Sequence, residues 1–175
     1  MGVLDAVSGF FTAGFPGNVR GLSPIEIQTA RGVFESTIPY GVVGISRSVG
    51  ANNRPYTTPS GPFYLLHMGP SQFSNPGTNM ATLIHELVHV WQGHNHFFTW
   101  GYVANSLWHQ ARAEVTGGSA YSYTPGAPWG MYNVEQQAKI VEDWFVNGQQ
   151  TTDQLFPYIR DRIRRPAVSW ILEPF

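Results

Sequence analysis

Apolar residues in this chain follow two patterns. Some recur every three to four residues, as they do on the buried face of an α-helix, and others form short unbroken runs suited to β-strands. Ile27, Ala30, Val33 and Phe34 show the first pattern. They follow Ser23-Pro24-Ile25-Glu26, where serine caps, proline takes the first turn and glutamate stands three residues on, so a helix is predicted from 24 to about 36. Met80, Leu83, Ile84, Leu87, Val88 and Trp91 repeat the spacing, with Thr78 or Asn79 to cap the start and Gly93 to end the helix in a left-handed turn. Ala104, Leu107, Trp108 and Ala111 predict a helix over 103–115. Val134, Ala138, Val141 and Phe145 predict another, capped by Asn133 with Gln136 at the capping-box position and closed by Gly148. Thr151-Thr152-Asp153 opens a last helix, with Pro157 in its first turn and Pro166 at its end. The runs 40–46 and 63–68 read as strands, and Thr58-Pro59-Ser60-Gly61 between them as a turn. The expected class is α+β, mainly helical, with a small sheet preceding the 80–92 helix.

Composition narrows the class. The chain has 175 residues, 42% hydrophobic and only 12% charged, which suits one folded domain and excludes a disordered chain. A net charge of −1 offers no general attraction to nucleic acid or to anionic membranes. No apolar run reaches the roughly 18 residues that a membrane span requires. The absence of cysteine removes disulfides, zinc–thiolate sites and thiol nucleophiles. Residues 1–22 are apolar but broken by Gly9, Gly14, Pro16, Gly17 and Gly21. They read as a segment or linker that packs on the core or docks to a carrier, ahead of a domain over 23–175. The start has no basic residue and carries Asp5 within its apolar run, a poor secretory signal, so any export is expected to use no cleavable leader.

The chemistry concentrates in His85-Glu86-Leu87-Val88-His89. An α-helix advances about 100° per residue, so the two imidazoles stack one turn apart on one face, able to share a zinc ion at about 2.0–2.1 Å. Glu86 falls beside the metal, where a general base acts on bound water. A catalytic zinc takes three protein ligands and keeps an open position. Without cysteine, a carboxylate from the 134–147 helix is the economical third ligand. Glu135, at the edge of the buried stripe, is the first choice and Glu142, two turns on, its rival. The third alternative is neither, with Glu135 paired to Lys139 at i, i+4 on the surface. Glu142 and Asp143 are otherwise acceptors for the ring N–H of His85 or His89.

Other groups receive plainer readings. Tyr121 or Tyr123, in the long 116–130 loop, is a candidate donor to an oxyanion, with packing or surface tyrosine as the alternative. His67 reads as a satisfied strand histidine. His94 and His96 read as helix-end or loop histidines, because Asn95 and Gln92 stand where the metzincin signature has its third histidine and glycine. The 63–68 strand is placed to pair with an extended peptide substrate. Arg160, Arg162, Arg164 and Arg165 read as a solvated helix face.

With both helices placed, the chain resembles the gluzincins, zinc peptidases with His-Glu-x-x-His and a downstream glutamate. More closely, it is similar to the metallopeptidase toxin domains attached to, or carried by, spike proteins of bacterial type VI secretion systems. The resemblance lies in Ser23-Pro24-Ile25-Glu26 with Ala30-Arg31, in residues 85–92 with their Trp91-Gln92 ending, in residues 118–123, and in Asn133-Val134-Glu135-Gln136-Gln137-Ala138 with 140–143. It implies a zincin-like fold, His85, His89 and Glu135 as ligands of one zinc ion, and Glu86 as catalytic base. It also implies delivery into the periplasm of a competing bacterium, a spike protein as carrier and an immunity protein that guards the producer. Thermolysin-like enzymes have asparagine directly before the ligand and aspartate four residues after it; here Val134 and Lys139 hold those places. The expected function is hydrolysis of peptide or amide bonds in a peptide or protein substrate. The alternatives are a non-catalytic docking module stabilised by zinc and a cell-wall peptide amidase or endopeptidase.

Overall fold

Four short strands lie side by side in the order β1 (Val19–Gly21), β2 (Val43–Ser46), β4 (Phe63–His67), β3 (Tyr56–Ser60). They belong to a computed structural model that describes residues 17–95 and 121–165. β2 is buried throughout and runs parallel to β4, while β1 pairs antiparallel to β2 and β3 antiparallel to β4. Two of the strands were not legible in the hydrophobic pattern. β1 falls in the glycine-broken leading segment. β3 contains Pro59, which has no N–H to donate and is tolerated because β3 is an edge strand. The turn read at 58–61 is therefore mostly strand. Ser60 pairs with Phe63, and the two-residue loop Gly61-Pro62 closes the hairpin with Gly61 at φ +62°. β4 has neighbours on both sides, which overturns its reading as a strand free to pair with substrate; among the described residues the edges are β1 and β3.

Ser23 and Glu26 form the expected capping box on α1 (Pro24–Phe34). Glu26 does more than cap. It is wholly buried, and its carboxylate accepts two hydrogen bonds from Arg20 at 2.7 and 2.9 Å and one from Gln72 at 2.8 Å. Gln72, in α2 (Gly69–Ser74), also accepts from the backbone N–H of Asn79, just before α3 (Met80–Asn95). One buried carboxylate thus ties β1, α1 and α2 to the start of the motif helix.

α3 crosses the centre of the core. Leu83, Ile84, Leu87, Val88 and Trp91 are fully buried, and so is Val90 on another face. The helix passes through Gly93, expected to end it. Gly93 is buried in the last turn, where Asn95 donates to Trp91 O and Thr37 O. α4 (Val134–Val146) has its Asn133–Gln136 capping box and ends in a Schellman turn, with Gly148 N–H on Phe145 O and Gln149 N–H on Trp144 O. Its buried face includes Ile140 and Trp144, whereas Val134 and Phe145 are only half-buried. The stripe broadens because Trp144 stacks on Phe156, in the short α5 (Phe156–Tyr158), and lies under the guanidinium of Arg164.

The last helix begins later than expected, after Asp153 accepts from Leu155 N–H, and widens into a π-helical turn over Ile159–Ile163. Arg164 is not on a solvated face: it donates to Gly32 O and Val33 O at the end of α1. The helix expected over 103–115 and most of the leading segment lie outside the described residues. Among the described residues no helix is long and apolar enough to cross a membrane.

Candidate metal centre

α3 and α4 pack against each other and bring together groups fifty residues apart in the chain. The His85 and His89 rings meet edge-on with centroids 5.3 Å apart. Glu135, in the first turn of α4, faces both. Its Oε2 lies 3.2 Å from His85 Nε2 and its Oε1 3.6 Å from His89 Nε2. One ligand atom from each of the three residues lies within 4.8 Å of the others. A tetrahedral ion with bonds of about 2.0–2.2 Å sets its ligand atoms roughly 3.4 Å apart. Two imidazoles and a carboxylate at these separations fit such an ion.

The electrostatics agree with that fit. Burial opposes a charged imidazole at His85, but the contacts with Glu135 and Glu142 and the nearby charge of Glu86 outweigh it and push the group up to about 10. His89 is raised in the same way, burial being overcome chiefly by Glu135. Burial also works against the Glu135 carboxylate, yet the two imidazoles hold it well below the usual carboxylate range. The pocket concentrates negative charge and favours a cation.

The groups behind the three are also placed. Glu142 Oε2 lies 2.9 Å from His85 Nδ1, the nitrogen turned away from Glu135, so the structure puts it behind the imidazole. Asp143 touches neither histidine; it accepts from Lys139 at 2.7 Å and from the Tyr123 hydroxyl at 2.8 Å. Lys139 also reaches Glu142 at 3.3 Å, and so it pairs with these two acids and not with Glu135. The acceptor behind His89 is Gln92, with Oε1 2.9 Å from Nδ1. No supporting role for Gln92 was read from the sequence, although its three-residue spacing from His89 puts both on one helix face.

Glu86 is 5% exposed. Thr57, on β3, donates its hydroxyl to Glu86 Oε2 at 2.8 Å, a contact no local pattern revealed. Tyr121 stands with its ring centroid 6.0 Å from that of His85. Burial and the charge of Glu135 raise its hydroxyl pKa. Tyr123 is turned away, committed to Asp143. His67 has both ring nitrogens satisfied, by Ser48 and Thr58, and stacks on Tyr56. His94 is exposed at the end of α3, and His96 lies outside the described residues.

The fold these elements make is shared with a known effector domain. A solved structure, the effector domain of Pseudomonas aeruginosa VgrG2b, aligns with a TM-score of 0.56 over 93% of this chain and 97% of that domain, at 24% identity. In sequence, the chain is 35% identical over 134 residues to the type VI secretion system spike protein VgrG2b of the same organism. That stretch is 73% of this chain and 13% of the spike protein's length. No protein-family profile matches the chain.

Proposed function

We propose that the chain is a zinc-dependent, zincin-like hydrolase of peptide or amide bonds, acting as an antibacterial effector of a type VI secretion system. The observation that carries the reading is the convergence of His85, His89 and Glu135 beside Glu86. The three would hold one zinc ion, which when bound polarises a carbonyl and makes water more acidic. Glu86, steadied by Thr57, takes the proton of the attacking water and passes it to the leaving amine. Tyr121, whose ring centroid lies 6.0 Å from that of His85, would donate to the carbonyl oxygen as it gains charge. β3, an edge strand joined to the motif helix through Thr57, offers backbone groups to an extended substrate.

Delivery by a spike protein into the periplasm of a target cell, with an immunity protein in the producer, is supported by the likeness to VgrG2b and its effector domain. The test is growth of a bacterial host that exports the chain to its periplasm, with Glu86→Gln as the paired control. The wild type should arrest growth and the variant should not. Equal toxicity of the two would sink the hydrolytic reading, and toxicity confined to cytoplasmic expression would sink the compartment.

A further inference from the structure

We infer that two glutamine side chains, Gln137 and Gln92, form an amide relay that fixes which nitrogen of His89 is left bare for a cation. The inference rests on the reading of His89 as a metal ligand. Its starting point is three main-chain carbonyls, which can accept hydrogen bonds but never donate. Trp129 O and Tyr132 O both lie 3.2 Å from Gln137 Nε2, so that end of the amide must be the NH₂ group. Gln137 Oε1 is then an acceptor, and it takes a hydrogen bond from Gln92 Nε2 at 3.0 Å. Gln92 Nε2 donates at the same distance to Val134 O. Reversing either amide would set oxygen against carbonyl oxygen, in a region where unpaired polar groups are costly.

Gln92 Oε1 is left facing His89 Nδ1 at 2.9 Å. It can only accept, so Nδ1 carries the proton, and Nε2, which faces Glu135, is the nitrogen free to give a lone pair. His85 reaches the same end by another route, with the Glu142 carboxylate behind its Nδ1. The neutral amide orients the second imidazole without adding a fourth carboxylate to a pocket that already holds Glu86, Glu135 and Glu142. The relay also spans the two ligand-bearing helices: Gln92 is on α3, and Val134 directly precedes Glu135 on α4. Gln137 touches neither histidine and is a positioning residue acting through Gln92.

The test measures zinc affinity of the full chain, by competition with a chelating dye, and reads ring protonation from long-range ¹H–¹⁵N correlation spectra of the zinc-loaded wild type. Gln92→Leu should weaken zinc binding about 10–100-fold, the usual cost of losing a group behind a metal-ligating histidine. Gln137→Leu should weaken it less. Gln92→Glu keeps an acceptor at Nδ1 but sets its other oxygen against Val134 O and Gln137 Oε1, so it should recover only part of the affinity lost in Gln92→Leu, a recovery that a purely structural clamp would not allow. The wild-type spectrum should show His89 protonated at Nδ1. Wild-type affinity in Gln92→Leu, equal loss in the leucine and glutamate variants, or a proton on Nε2 would each overturn the relay. The spectrum decides even if a variant fails to fold. A wild type that binds no zinc removes the metal reading and the relay together, whereas zinc binding without these responses removes the relay alone.

Discussion

Thr57 donates its hydroxyl to Glu86 from a different element, across 29 residues of chain, and both side chains are buried. The contact pins one carboxylate oxygen, leaving the other to meet water. Thr57→Val keeps the shape of the side chain and removes the donor. Hydrolysis by that variant should fall about tenfold, equivalent to ~1.4 kcal/mol, with zinc content unchanged. Thr57→Ser should retain most of the rate. A pool of fluorogenic peptides serves as the assay, and an unimpaired valine variant would show that Glu86 is oriented without Thr57.

Glu135 and Glu142 should separate cleanly in metal binding. Glu135 faces both Nε2 atoms, whereas Glu142 stands behind His85. Glu135→Ala should abolish tight zinc binding by leaving two protein ligands. Glu142→Ala should weaken it about 10–100-fold while the ion stays bound. Equilibrium dialysis with zinc quantification distinguishes them, and the opposite ranking would exchange their roles.

Zinc uptake should release protons. Both imidazoles are held above the ordinary histidine value by the surrounding carboxylates, burial notwithstanding, so at neutral pH a cation must displace protons from them. Affinity should therefore weaken as the pH falls from 8 to 6. Titration calorimetry in buffers of different ionisation enthalpy reads the released protons directly. Chelation should lower Tm, and added zinc should restore it.

Glu26 should matter for stability and not for chemistry. Its carboxylate is held below the usual range: burial opposes ionisation, but the hydrogen bonds from Arg20 and the Ser23 backbone outweigh it. A folded pKa below the unfolded one stabilises at pH values above the unfolded value, near 4.5. That contribution is lost as pH falls from there through the folded pKa. Glu26→Ala strands the partly buried Arg20 and should cost about 3 kcal/mol at neutral pH. It should also flatten the loss of Tm on acidification that the wild type shows below about pH 4.5. Calorimetric melts across that range check both.

Local geometry was readable directly. The i, i+4 spacing of His85 and His89 places them on one face of any helix, and the capping boxes at Ser23–Glu26 and Asn133–Gln136 occupy the places their spacing indicates. These features depend on neighbours within one turn, so short-range order suffices to predict them. The sheet was half legible, because β1 and β3 lack an apolar signature and exist through pairing with β2 and β4.

What the chain alone determined was a pair of imidazoles with a carboxylate beside them, since a helix repeat leaves no other arrangement for that spacing. Which distant acid faces them, that Thr57 supports the carboxylate, that Val134 and Gln137 hold Gln92 against His89, and that β3 rather than β4 lies at an edge of the described sheet were decided by tertiary structure. The reason is physical: those partners lie on other elements, and only the packing of α4 and β3 against α3 sets the distance and rotation that bring one side chain, and not its neighbour one turn away, into contact.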